Sequence, residues 1–168
     1  MIASIVRLVL TNIPLVAFIL ALLLSVIYTR KTISRAENFL SWLLLLSIGF
    51  TSLWAGLYHT LWPQTAAAFI GWQSSPFQFE MGMSDIALGI VAMVSFWRTL
   101  EFKSAVVMLV AIEFAGLAYG HFHQIARAGD YQAGNAGVLL GLTIIQIVLL
   151  PLLLILAFKA RRPTRKVT

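Results

Sequence analysis

Residues 103–124 read KSAVVMLVAIEFAGLAYGHFHQ, and this stretch decides the fold. Between Lys103 and His121 the one charged side chain is Glu113. A helix of about 20 mostly apolar residues is ~30 Å long, the thickness of a bilayer's hydrocarbon core. The stretch is therefore a transmembrane helix. An ionisable group inside such a span costs roughly 2.5–3.5 kcal/mol on insertion scales. Glu113, and His121 toward the end of the helix, make this span a functional candidate as well as a structural one.

Four more segments outward from it have the same character. The first covers 8–28, with Pro14 tolerated near its start after Asn12. The second covers 38–62, from Asn38 to Trp62, and stops at Pro63. The third covers 76–97, with Ser75 as N-cap and Pro76 at the first helical position. The last covers 135–158, and Pro151 inside it predicts a kink. The expected fold is all-α: five transmembrane helices, N-terminus outside, in one domain over residues 1–160, with a basic cytoplasmic tail over 161–168.

Composition agrees. Of 168 residues, 60% are hydrophobic and 11% charged, against about 25% charged in soluble domains. Cysteine is absent, which excludes a disulfide framework, a thiolate metal site and a cysteine nucleophile. The net charge is +6, but the basic residues flank the apolar spans. That arrangement selects membrane lipids, and anionic headgroups in particular, over nucleic acid as partner. The run from Leu8 to Thr29 is too long for the core of a signal peptide. It ends in Tyr28-Thr29-Arg30-Lys31 without a cleavage-type small residue, so it reads as a retained span.

Orientation follows from the loops. With five spans, ten Lys/Arg fall on the side of Arg30, Arg98 and the tail, and only Arg7 and Arg127 on the other. The positive-inside rule then places the N-terminus outside and the tail in the cytoplasm. Tyr28, Phe39, Trp42 and Trp97 belong to the inner interface, and Trp54, Tyr58, Trp62, Trp72 and Tyr131 to the outer one. The connection from Pro63 to Ser75 is uncharged and too short to span, which predicts an interfacial or re-entrant segment.

The polar residues within the spans cluster in the outer half: Glu80, Asp85, Glu113, His121 and Gln124, with His59 and Asn135 near the outer ends. The inner half is nearly uniform Leu, Val and Ile. A cavity open to the outside and plugged toward the cytoplasm is expected. At ~100° per residue, Glu113, Gly116, Gly120 and Gln124 share one helix face, with His121 about 80° to one side. Glu80 and His121 lie at similar depth and are expected to meet, with Glu113 deeper.

Carboxylate plus imidazole suits a divalent metal such as Zn, Fe or Mn, and equally a proton relay. Glu80, Asp85, Glu113 and His121 are the candidate metal ligands, and Gln124 and Asn135 the flanking binding residues. No Glu-x-x-His pair or HExxH stretch is present. His59 and His123 read as packing residues, Met81 and Met83 as apolar filler, and Arg98, Glu101 and Lys103 as a solvated turn.

Two strings resemble a bacterial family of small multi-pass membrane proteins of uncharacterised function. One is Gly71-Trp72 followed by Ser75-Pro76-Phe77-Gln78-Phe79-Glu80. The other is Gly120-His121 with Gln124, then Gly129-Asp130-Tyr131 and Gly134-Asn135-Ala136-Gly137. The resemblance implies a bacterial cytoplasmic membrane location. It directs attention to Glu80, Asp85, His121, Gln124 and Asn135, and it supplies no activity. The site itself points first to binding or transport of a cation. The rival readings are a membrane-embedded enzyme acting on a lipid or quinone, and a non-catalytic subunit. Five helices are few for alternating access, so a transporter would be a homo-oligomer.

Overall fold

The computed structural model describes residues 12–161. Among them every regular element is helical. Helix α1 (Ile13–Ile27) opens with Pro14 in its first turn, where a missing N–H costs nothing. Its 15 residues fall short of a bilayer crossing. The start of the expected first span, residues 8–11, lies outside the described residues, as does the tail beyond Arg161.

Helix α2 (Arg35–Leu61) is 27 residues long and begins three residues before the expected start. Ser34 accepts a hydrogen bond from the Glu37 backbone N–H at 3.1 Å, an N-cap that the apolar pattern alone does not reveal. Its middle, Leu43–Phe50, is π-helical. At its end the Thr51 hydroxyl donates to the Ser47 carbonyl at 2.5 Å, the usual back-bond of a helical threonine. Helix α3 (Pro63–Ile70) is the short apolar segment, closed by Gly71 at a left-handed φ of 90°.

Helix α4 (Phe77–Ser95) starts one residue later than expected. Pro76 is its N-cap and Ser75 provides no capping bond. Helix α5 (Leu100–Ala128) runs for 29 residues from a Thr99 cap to Gly129 at φ 62°. It is longer at both ends than the apolar run, because the cap and the left-handed glycine set its limits. A short turn, α6 (Ala133–Ala136), leads into α7 (Val138–Arg161), which continues through Pro151.

Among the described residues four helical stretches are long and apolar enough to cross a membrane: α2, α4, α5 and Ala133–Arg161. Helices α2 and α4 pack backbone against backbone. A Cβ on Gly56 would lie 2.6 Å from the Gly82 carbonyl oxygen, and one on Gly89 would lie 2.6 Å from the Leu53 nitrogen. Bare backbones pressed together are how helices gain packing in lipid, where apolar burial alone provides little drive. The core, with Leu40, Leu44, Ile48, Val107, Val110 and Leu150, fills the half of the bundle nearer Arg30 and Lys103.

Candidate functional site

One end of the bundle gathers the tip of α3, the end of α5, and α6. Asn135 is fully buried there. Its Nδ2 donates to the Asp130 carbonyl at 2.8 Å and to the His121 carbonyl at 3.4 Å. Its Oδ1 lies 2.7 Å from His121 Nδ1. Because the amide nitrogen is committed to two carbonyls, Oδ1 must be the acceptor and His121 Nδ1 the donor. In the neutral ring, Nε2 then carries the lone pair. The Trp72 ring stands 5.6 Å from the imidazole and completes its setting.

Asn135 thereby fixes the loop that carries Asp130. One carboxylate oxygen of Asp130, Oδ1, accepts from the Gln132 backbone N–H at 3.0 Å. The other, Oδ2, is buried and has no hydrogen-bond partner. The Gly71 backbone presses against this carboxylate, so that a Cβ at Gly71 would lie 2.9 Å from both of its oxygens. Beside it opens a cavity of about 540 Å³, lined by Gln124, Asp130, Tyr131, Gln132 and the backbones of Gly71 and Gly129. Organic ligands occupy cavities of roughly 300–1,000 Å³, and an unpaired buried carboxylate oxygen favours a cation or a hydrogen-bond donor.

Of the residues singled out in the sequence, His121, Gln124 and Asn135 come together here. Glu80, Asp85 and Glu113 do not. His121 bonds to Asn135 and not to Glu80, which is exposed on the first turn of α4. Asp85 on α4 and Glu113 on α5 are close enough to act on each other electrostatically, and Ser84 lies near Glu113. His59 Nδ1 pairs with Gln78 Nε2 at 3.0 Å, and His123 lies against the Tyr119 ring. Among the described residues no three of His, Asp and Glu are placed to hold a metal ion together. The expected meeting of Glu80 and His121 fails because equal depth does not bring two helix faces together. Asp130 was part of a quoted string but not a named ligand, and only the fold of its loop exposes its role.

A second polar cluster occupies the opposite end. Lys103 and Glu37 are 1% and 2% exposed and pair at 2.9 Å. Arg161 Nη2 reaches both Glu37 oxygens, at 3.2 and 3.1 Å, and its Nη1 reaches Glu101 at 3.1 Å. The expected solvated turn is therefore corrected at Lys103. Because α5 begins at Leu100, Lys103 sits in the first helical turn, turned inward toward α2. Nearby, Arg30 donates to the Phe96 carbonyl at 3.0 Å and to Asn38 Oδ1 at 3.3 Å, with its guanidinium 4.4 Å from the Phe96 ring centre.

Residues 11–163 match the model of a family described as a family of unknown function, DUF6790. No curated protein matches the chain. No solved structure matches it either.

Proposed function

The chain belongs to this family of unknown function, and on that premise we propose that it is a multi-pass membrane protein that binds a small cation at the Asp130 cavity, on the outer side of the membrane. The supporting observation is the buried Asp130 Oδ2 without a partner beside a cavity of about 540 Å³. The excess of Lys/Arg at the Lys103 end supports the sidedness, since positive loops stay in the cytoplasm.

The lining argues for the kind of cation. Gln124, Asp130, Tyr131 and Gln132 supply oxygen atoms and a single carboxylate. A bare Zn ion favours nitrogen or sulfur ligands in tighter sets, and oxygen donors suit hard ions or N–H groups. The cavity also has room for several non-hydrogen atoms. An ammonium-bearing organic solute fits both features: its charge pairs with Asp130 and its carbon body lies against Tyr131. Among the metals considered, Mn is the one that an oxygen set favours.

Isothermal titration of the purified protein in nanodiscs tests this reading with ethanolamine, methylammonium, Mn²⁺ and Zn²⁺. Saturable heat with at least one of the amines, abolished in Asp130→Asn, is the expected result. Absence of binding by every cation, or unchanged binding in Asp130→Asn, would overturn it.

A further inference from the structure

The Lys103 end carries an excess of positive charge among the described residues. Seven basic side chains among the described residues share this end with two carboxylates, Glu37 and Glu101. Both carboxylates are already engaged, Glu37 by Lys103 and Arg161, and Glu101 by Arg161. The remaining acidic residues, Glu80, Asp85, Glu113 and Asp130, lie within the spans or at the opposite end. The undescribed termini contain no Asp or Glu. The excess of positive charge at this end favours an anion supplied by the membrane.

Arg35 is where that excess meets a cavity. It is exposed at the start of α2 and forms no ion pair among the described residues. A cavity of about 280 Å³ lies between α1 and α2, lined by Ser25, Val26, Thr29, Arg35, Asn38 and Phe39. Ser25 and Asn38 use their donors on backbone carbonyls, at 2.6 Å to Leu22 and 2.8 Å to Ser25, so they shape the wall. The Thr29 hydroxyl makes only a long 3.3 Å bond to the Val26 carbonyl. That leaves Arg35 and Thr29 as the donors for a ligand. Val26 is 66% exposed and, with Phe39, forms an apolar flank. Arg30, fixed against Asn38 and Phe96, adds a second charge behind the wall, and its Nη2 is buried without a partner.

We propose that this cavity binds the phosphate of an anionic phospholipid, with Arg35 and Thr29 on the phosphate oxygens and the lipid's apolar part along Val26 and Phe39. A guanidinium matches phosphate oxygens in a fork that an ammonium cannot reproduce. The apolar flank distinguishes a lipid from a free anion. This site is separate from the Asp130 cavity, at the other end of the bundle, and either can fail without the other.

The test is native mass spectrometry of the full-length protein released from nanodiscs of phosphatidylglycerol mixed with phosphatidylcholine. The wild type should retain phosphatidylglycerol selectively. Arg35→Gln should lower the retained fraction about tenfold, the loss of a charge-assisted guanidinium–phosphate hydrogen bond. Arg35→Lys should give an intermediate loss, and Thr29→Val a smaller one. Arg98→Gln, an exposed basic residue at the same end outside this cavity, should change retention little. Equal losses in Arg35→Gln and Arg98→Gln would mean diffuse attraction and overturn the site. Unchanged retention in Arg35→Gln would overturn it as well. Displacement of the lipid by millimolar inorganic phosphate would reassign the cavity to free phosphate.

Discussion

The two ends of the bundle use similar side chains to opposite effect. At the Lys103 end, the buried Glu37 carboxylate is met by one ammonium and one guanidinium. At the Asp130 end, one carboxylate oxygen is tied to backbone and the other is buried without a partner beside a cavity. A fully paired buried carboxylate holds helices together, and a half-paired one keeps capacity for something that arrives. Charge inside a membrane protein is thus no guide to function until its partners are counted. In the sequence, Lys103 read as part of a solvated turn, and Asp130 stood in a quoted string without a role.

The largest expected effect tests the first half of that contrast. Lys103→Met should destabilise the protein by about 3 kcal/mol, the low end of the cost of breaking a buried ion pair, because Glu37 keeps the half-exposed Arg161. Thermal unfolding in detergent measures it. Glu37→Gln added to Lys103→Met should recover part of the loss, because the buried carboxylate is then gone. A double variant less stable than the single one would mean that Glu37 is held mainly by Arg161.

At the other end, Asn135→Leu removes three hydrogen bonds and leaves two carbonyls and His121 Nδ1 unmet. A loss of about 1–3 kcal/mol is expected, together with loss of cation binding, since the Asp130 loop is no longer fixed. Gly71→Ala should cost about 1–2 kcal/mol for its left-handed backbone, and its methyl group would crowd the Asp130 carboxylate. Asp130→Asn should break the pattern: binding is lost while the melting temperature stays near wild type. A large drop in stability for Asp130→Asn would put the two ends in the same structural class.

The smallest effects belong to the carboxylates that the sequence made most prominent. Glu80→Gln and Glu113→Gln should leave both stability and amine binding close to wild type, checked by the same melting and titration experiments. Loss of binding in Glu113→Gln would extend the site down the α4–α5 boundary. Sidedness has its own check, eased by the absence of cysteine. In intact cells an impermeant thiol reagent should label Gln132→Cys and spare Ser34→Cys, and the reverse pattern would move the Asp130 cavity to the cytoplasm.

Much of the fold was legible because bilayer thickness converts directly into residue count. The apolar runs located α2, α4, α5 and α7 to within a few residues, and Pro63 and Pro76 marked real helix boundaries. The errors cluster at the ends, where Ser34, Thr99 and Gly129 act through hydrogen bonds and backbone angles that hydropathy does not register. The sequence drew attention to His121, Gln124 and Asn135, and the fold brings these three to one end of the bundle. Glu80 was grouped with them on depth and on the resemblance, and Glu113 on a shared helix face, and none of these fixes which helices meet.

What the sequence determined by itself is one-dimensional: helix lengths, the depth of each polar group along its helix, and the charge carried by each loop. Those properties follow from a rise of ~1.5 Å per residue and from the cost of putting charge into hydrocarbon. Which helix faces meet is set by close backbone approach at Gly56, Gly82 and Gly89, and by partners far apart in the chain. Glu37 and Lys103 are 66 residues apart, and no local pattern links them. Only the packed bundle could bury that pair completely while leaving Asp130 Oδ2 without a partner, because hydrogen-bond satisfaction is a property of neighbours in space.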